Sequence, residues 1–306
     1  MLKRKKVHRA IFTFLLAVTS LVCHAKTFDV YFLGGQSNME GYGYSKTLEP
    51  LLREPSSEIY LFTGNPANDD DRRGGAGVWA PLQPGTGVGF KSNGRVSLYS
   101  DRFGPEVSFG HTIDHLSENR HIAIIKYAKG GSGLAENTGH GSWDPYYNKK
   151  QGINQFDHFL TTVRQAFEEQ DIDLDGELDT LLPAGIVWMQ GEADASAGKK
   201  VAMAYEKNLM QMMKLIKAAL RNDSIPVIIG KITDSGVDNS SNKMPYIDEI
   251  HRAQKAFVDN DICAAYVTVL EDEPHIADGW HYTSKSYVKL GEAFAQAMWS
   301  LKTTCP

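Results

Sequence analysis

The sequence predicts an α/β fold: a three-layer α/β/α sandwich around a parallel central sheet. Short apolar runs alternate with longer amphipathic stretches along nearly the whole chain. Strands separated by helices pair in parallel through right-handed crossovers, which place helices on the faces of the sheet. The chain also shows no internal repeat and no low-complexity linker. Residues 26–306, about 280 in number, are therefore expected to form one domain.

Strands are expected over residues 27–33, 59–62, 122–127, 185–189, 227–232 and 265–270, each an apolar run. Helices are expected over 105–119, 155–170, 202–222, 244–259 and 284–302. Pro105 suits a first helical turn, where no N–H is needed. In the last helix Tyr287, Leu290, Phe294, Ala297, Met298 and Leu301 recur at helical spacing and mark a core-facing stripe. Two long stretches, 64–102 and 131–152, are rich in turn-forming residues and read as loops. Loops of that length inside one domain are usually functional or disordered.

The first residues read as a leader. Lys3, Arg4, Lys5, Lys6 and Arg9 give a basic start, residues 11–22 are apolar but short for a membrane span, and Ala25 is a small residue suited to cleavage. A signal peptide over residues 1–25 is expected. Its removal leaves 27 basic against 37 acidic side chains, a formal charge of −10. An acidic surface argues against nucleic acid or an anionic membrane as partner.

The stretch most informative about chemistry is Val30-Tyr31-Phe32-Leu33-Gly34-Gly35-Gln36-Ser37-Asn38-Met39-Glu40-Gly41. An apolar strand runs into two glycines and then a serine, which lifts Ser37 onto a turn at the carboxyl end of the strand. Ligands bind at such ends in open parallel sheets, and a nucleophile can be exposed there. Gly-Ser turns are otherwise ordinary helix caps. Two later segments change the weighing: Trp188-Met189-Gln190-Gly191-Glu192 and Asp278-Gly279-Trp280-His281-Tyr282.

Together Gly35-Gln36-Ser37-Asn38-Met39, Gly130-Gly131-Ser132, Gln190-Gly191-Glu192-Ala193-Asp194 and Asp278-Gly279-Trp280-His281 make the chain resemble an SGNH-type hydrolase. The branch is that of carbohydrate esterase family six and the sialate O-acetylesterase-like domains. The motifs span nearly the whole chain after the leader. The resemblance implies a flavodoxin-like sheet, no catalytic cofactor, and an acetylated oligo- or polysaccharide as substrate.

Ester hydrolysis needs a nucleophile, a base, a group that orients the base, and donors for the oxyanion. Ser37 is the expected nucleophile and His281 the base, with His275 as a less well placed competitor. Asp278, on the same loop, can hold the imidazole tautomer; Glu192 is an alternative acid, and Asp278 is preferred for its proximity. The expected oxyanion donors are the N–H of Ser37, the N–H of Gly131 and the side-chain amide of Gln190. The last departs from the asparagine used more widely in the superfamily. Gln36 and Asn38 flank the nucleophile as candidate substrate contacts. Trp143 reads either as a sugar-stacking platform or as a loop anchor.

Two further features stand apart from catalysis. Asp171, Asp173, Asp175 and Asp179, with Gly176 at the sixth position, match the first half of a calcium loop, but Leu182 occupies the place of its bidentate glutamate. A structural calcium site and a solvated acidic turn both remain open. Cys263 precedes a strand whose following helix must run back antiparallel, so Cys305 at the end of that helix is expected to return to it and pair. The whole reads as a secreted or periplasmic serine esterase removing O-acetyl groups from acetylxylan or a related glycan. Alternatives are a sialate O-acetylesterase, a lipase or thioesterase of the same superfamily, and a non-catalytic carbohydrate-binding domain.

Overall fold

Nine residues, eight of them buried, form the strand β1 (Thr27–Gly35). Side chains alternate across it: Phe28, Val30 and Phe32 enter one hydrophobic core, while Tyr31 and Leu33 enter another. A strand buried on both faces reads as a continuous apolar run, which is why it was legible. The computed structural model describes residues 25–117, 120–136, 138–236, 243–302, 304 and 305. The expected leader lies outside these, apart from Ala25.

The other strands of the main sheet are β2 (Ile59–Thr63), β3 (Trp79–Pro81), β4 (His121–Ala128), β5 (Thr180–Met189), β6 (Val227–Gly230) and β7 (Ala264–Val267). The helices that matter here are α1 (Ser37–Glu40), α2 (Glu106–Leu116), α3 (Gln155–Glu168), α4 (Glu192–Ser196), α5 (Lys199–Ala219), α6 (Ile247–Asp259) and α7 (Ser284–Leu301). The sheet runs β7-β6-β5-β1-β4-β2-β3, and only the β2–β3 pair is antiparallel. It is doubly wound, as expected, with β4 seated between β1 and β2. From β1 the chain builds outward on both sides, so β1 sits at the switch point, where a crevice opens beyond the strand ends.

Residues of α3, α5 and α6 share one core with one face of the sheet. Residues of α2 and α7 share the other, where Tyr287, Leu290, Phe294 and Met298 carry the expected stripe. The strands β6 and β7 stop earlier than the apolar runs suggest. Ile232 and Leu270 are buried beyond the last ladder pairs, since apolarity reports burial and not hydrogen bonding. Conversely β5 begins five residues before the expected start, pairing Thr180–Pro183 with Thr27–Val30; the register shifts just after Pro183, a place where a proline's missing N–H is tolerated.

The stretch 64–102 is an ordered loop. It carries β3 and a short hairpin, Lys91–Ser92 against Ser97–Leu98. It is held from below by a buried ion pair, Lys126 Nζ to Glu106 Oε2 at 2.7 Å. Lys126 also donates to the carbonyls of Glu40 and Thr86, and Glu106 accepts from Thr86 Oγ1 and the Gly104 N–H. A buried pair is tolerable when such additional bonds satisfy it.

Cys263 and Cys305 form a disulfide, with Cα atoms 5.2 Å apart and a sequence separation of 42. It joins the start of β7 to the chain just past α7, as the topology requires. Closing a loop of that length is worth about 3–4 kcal/mol in the chain-entropy view.

Candidate active site

The carboxyl ends of β1, β4 and β5 open onto a cleft of about 740 Å³ lined by Ser37, Gly130, Gly131, Glu192, Trp280 and His281 among others. Three of the four motifs thus meet because their strands are neighbours. The fourth arrives on the long loop between β7 and α7.

Ser37 opens α1 immediately after β1. The turn is tight: Gln36 N–H donates to the Met189 carbonyl at 3.0 Å, and the Gln36 carbonyl accepts from Met39 and Glu40. Gly35, with φ +148°, lies so near β5 that a Cβ would sit 1.9 Å from the Met189 carbonyl oxygen. Only glycine fits there.

Asp278 shapes the histidine loop. Its Oδ1 accepts from the N–H groups of Trp280 and His281, and its Oδ2 lies 2.7 Å from His281 Nδ1. One carboxylate therefore fixes both the loop backbone and the imidazole, which holds Nδ1 protonated and leaves Nε2 as the acceptor. The ring lies flat on Tyr42, with centroids 3.5 Å apart and planes 5° from parallel. No sequence signal pointed to Tyr42. Burial lowers the His281 pKa below its ordinary value, against the upward pull of Asp278. His275 is elsewhere, packed on Tyr282.

The expected oxyanion donors are placed unevenly. The N–H groups of Ser37 and Gly131 have no hydrogen-bond partner among the described residues. The Gly130 N–H donates to Glu40 Oε2 at 2.6 Å, which fixes the turn next to Gly131. Gln190 does not take the expected place. It is 0% exposed, and its amide nitrogen is committed to Asp194 Oδ2 at 2.6 Å, Ser132 O at 3.2 Å and Gln36 Oε1 at 3.2 Å. It braces the loop behind Gly131 from below. Gln36 lines the cleft instead. Its Oε1 is clamped by Gln190 Nε2, Gly191 N–H and Ala193 N–H, which turns its amide nitrogen away from those donors.

Asn38 is buried and is not a substrate contact. Its Nδ2 donates to Glu192 Oε1 at 2.7 Å and to the Trp280 carbonyl at 3.0 Å, while its Oδ1 accepts from Tyr287 at 2.7 Å. It ties the nucleophile turn to the α4 turn, the histidine loop and α7. Glu192 therefore bonds Asn38, and of the two acids only Asp278 bonds the His281 imidazole. Burial raises the Glu192 pKa to about 7, against the downward pull of the Asn38 hydrogen bond.

Trp143 is also not at the surface. It is 0% exposed, donates Nε1–H to Ser132 Oγ at 2.9 Å, and packs edge-on against Trp188 and Tyr127. It anchors its loop, and an indole without an exposed face cannot stack on a sugar.

The acidic turn lies at the opposite end of the sheet from Ser37. The Lys26 N–H, just before β1, donates to Asp179, and Lys26 Nζ pairs with Asp173 and, at 2.8 Å, with Asp175. The nine residues of β1 put about 30 Å between the two ends, at roughly 3.3 Å per residue. Asp171, Asp173 and Asp179 each bring an oxygen within 4.8 Å of the others. The Lys26 ammonium already supplies a positive charge between Asp173 and Asp175, and backbone N–H groups bond Asp171 and Asp179. Any cation held there would be remote from the cleft.

A family model described as carbohydrate esterase, sialic acid-specific acetylesterase matches residues 27–300. Among solved structures, one of a protein from Arabidopsis thaliana aligns with TM-score 0.60 at 18% identity, covering 90% of this chain and 98% of that one. NanS aligns with TM-score 0.57 at 13% identity, over 92% of this chain and 99% of that one. A carbohydrate acetylesterase from Xanthomonas citri aligns with TM-score 0.56 at 14% identity, over 88% of this chain and 55% of that one. At these identities the likeness is one of fold. A comparison with curated proteins finds no match.

If Asp278 orients the imidazole, Asp278→Asn should lower kcat by orders of magnitude, about 10⁴ in the best-studied serine triad. Glu192→Gln, which keeps an acceptor for Asn38, should cost under tenfold. Steady-state kinetics on both variants decide this, and a larger loss in Glu192→Gln would reverse the assignment.

Proposed function

The chain belongs to the carbohydrate esterases of the sialic acid-specific acetylesterase family, and from that premise we propose a secreted serine esterase that removes O-acetyl groups from a carbohydrate through an acyl-enzyme. The observation that carries this is the cleft itself. A serine hydroxyl at a strand-to-helix turn, a histidine oriented by a carboxylate and two unpartnered N–H groups line one crevice.

Ser37 Oγ attacks the acetyl carbonyl carbon while His281 Nε2 takes the hydroxyl proton. Asp278 keeps Nδ1–H in place and stabilises the imidazolium. The N–H groups of Ser37 and Gly131 and the amide of Gln36 receive the developing oxyanion. A well-placed donor of this kind is worth about 3 kcal/mol in the transition state. Collapse breaks the ester bond, and His281 returns the proton to the departing sugar hydroxyl. A water molecule, deprotonated by the same nitrogen, then attacks the acyl carbon; acetate leaves, and His281 returns the proton to Ser37 Oγ. Among the described residues no hydrogen bond joins Ser37 Oγ to the imidazole, and such bonds commonly close only with substrate bound.

The reaction asks nothing of the acidic turn, whose position favours a structural role. Among the described residues no helix is long and apolar enough to cross a membrane. The disulfide suits an oxidising compartment, in keeping with export behind the expected leader. The cleft mixes polar groups of Asn68, Lys129 and His140 with apolar faces of Tyr42, Val88 and Trp280, which suits a sugar with both hydroxyls and CH faces. A pure binding module would have no use for the Ser37–His281–Asp278 set.

Acetate release from acetylated xylan, pectin and O-acetylated sialic acid tests the reading. The wild-type protein should release acetate from at least one of them, and Ser37→Ala should retain less than about 10⁻³ of the rate, as members of a catalytic unit do. No release from any ester would overturn it.

The pH profile follows from His281. The base works only when neutral, and burial places its pKa below the ordinary 6.5. The kcat/KM should therefore rise with pH to a plateau, with its midpoint below about 6.5. A midpoint above 7, or no acid limb, would contradict a histidine base in this setting.

A further inference from the structure

A second cavity, of about 480 Å³, adjoins the cleft and shares Asn68 and Lys129 with it. Its far wall is the Lys91–Ser92/Ser97–Leu98 hairpin, and Asn65 and Asn93 contribute to its lining. Val96 and Leu98 stand 59% and 64% exposed beside it. A polar cavity edged by small apolar surfaces is suited to a sugar ring, which presents both hydroxyls and CH faces.

Its charge balance is unlike that of the molecule. Asp71 and Arg73 both line the cavity and pair with each other at 2.6 Å. Lys91 and Lys129 form no salt bridge among the described residues, and Lys129 feels the buried Glu40 carboxylate only as a longer-range charge. The chain as a whole is acidic, with a formal charge of −5. With Asp71 neutralised by Arg73, the two further ammonium groups that line the cavity favour an anion at that spot.

We propose that this cavity is a second subsite, and that the substrate is an oligosaccharide carrying a carboxylate on the unit next to the acetylated one. The acetylated unit sits over Ser37, and the chain passes Asn68 and Lys129 into the hairpin cavity. There Lys91 and Lys129 meet the carboxylate, and Val96 and Leu98 lie along the ring. The inference rests on the esterase reading of the cleft.

The test compares kcat/KM on p-nitrophenyl acetate, acetylated xylo-oligosaccharide and acetylated oligogalacturonide, for wild type, Lys91→Gln and Leu98→Asp. Neither substituted residue touches the cleft around Ser37. The wild type should prefer the galacturonide, with a preference that shrinks as NaCl rises from 50 to 300 mM. Lys91→Gln should raise KM for the galacturonide about three- to tenfold, the range for one charge-assisted contact near the surface, with kcat unchanged. Both variants should hydrolyse p-nitrophenyl acetate at the wild-type rate. Equal loss on all three substrates, or none on the galacturonide, would overturn the subsite and leave the esterase standing. A wild-type protein inactive on every ester would instead sink the reading of the cleft, and the subsite with it.

Discussion

Asn38 is the joint on which the cleft depends. Its three side-chain hydrogen bonds reach Glu192, the Trp280 carbonyl and Tyr287, residues 154, 242 and 249 positions away. The nucleophile turn, the histidine loop, the α4 turn and the last helix therefore share one buried amide. Buried polar groups are costly when unpaired, and among the described residues Glu192 Oε2 has no side-chain partner. The same amide holds the backbone of the loop that presents His281. A catalytic unit assembled from both ends of the chain needs such a joint, because strand pairing alone fixes the positions of β1 and β5 but not of a loop beyond β7.

Behind this front lies a second layer of bracing. Gln190 and Asp194 hold the loop that carries Gly131, with Asp194 accepting from Gln190 and from the Leu134 and Ala135 N–H groups. Burial raises the Asp194 pKa to about 6. On the other side Lys126 and Glu106 pin the long loop between β2 and α2 to the sheet. The groups that line the cleft are few, and the N–H groups of Ser37 and Gly131 are main chain. The conspicuous side chains of the motifs are largely spent on holding them there.

That division explains what the sequence disclosed. Alternating apolar and amphipathic runs specify strands and helices because burial is periodic, so the sandwich and the helix stripes were legible. The Ser37 turn was legible because Gly35 admits no side chain. The direction in which a buried side chain points is not periodic. Gln190 was expected to face the cleft, yet its amide turns inward, where three acceptors hold it; Gln36 presents its amide instead. Trp143 was open to two readings, and packing against Trp188 and Tyr127 decides for the anchor. Tyr42 beneath His281 left no trace in sequence, since stacking requires two distant loops to meet.

The central claim is that Ser37 attacks the ester and carries the acyl group. Covalent labelling with a p-nitrophenyl phosphonate, followed by peptide mass mapping, measures this directly. One phosphonyl group per chain, on the peptide containing Ser37 and absent in Ser37→Ala, is the result expected. Labelling of a different residue, or an active protein that takes up no label, would contradict it.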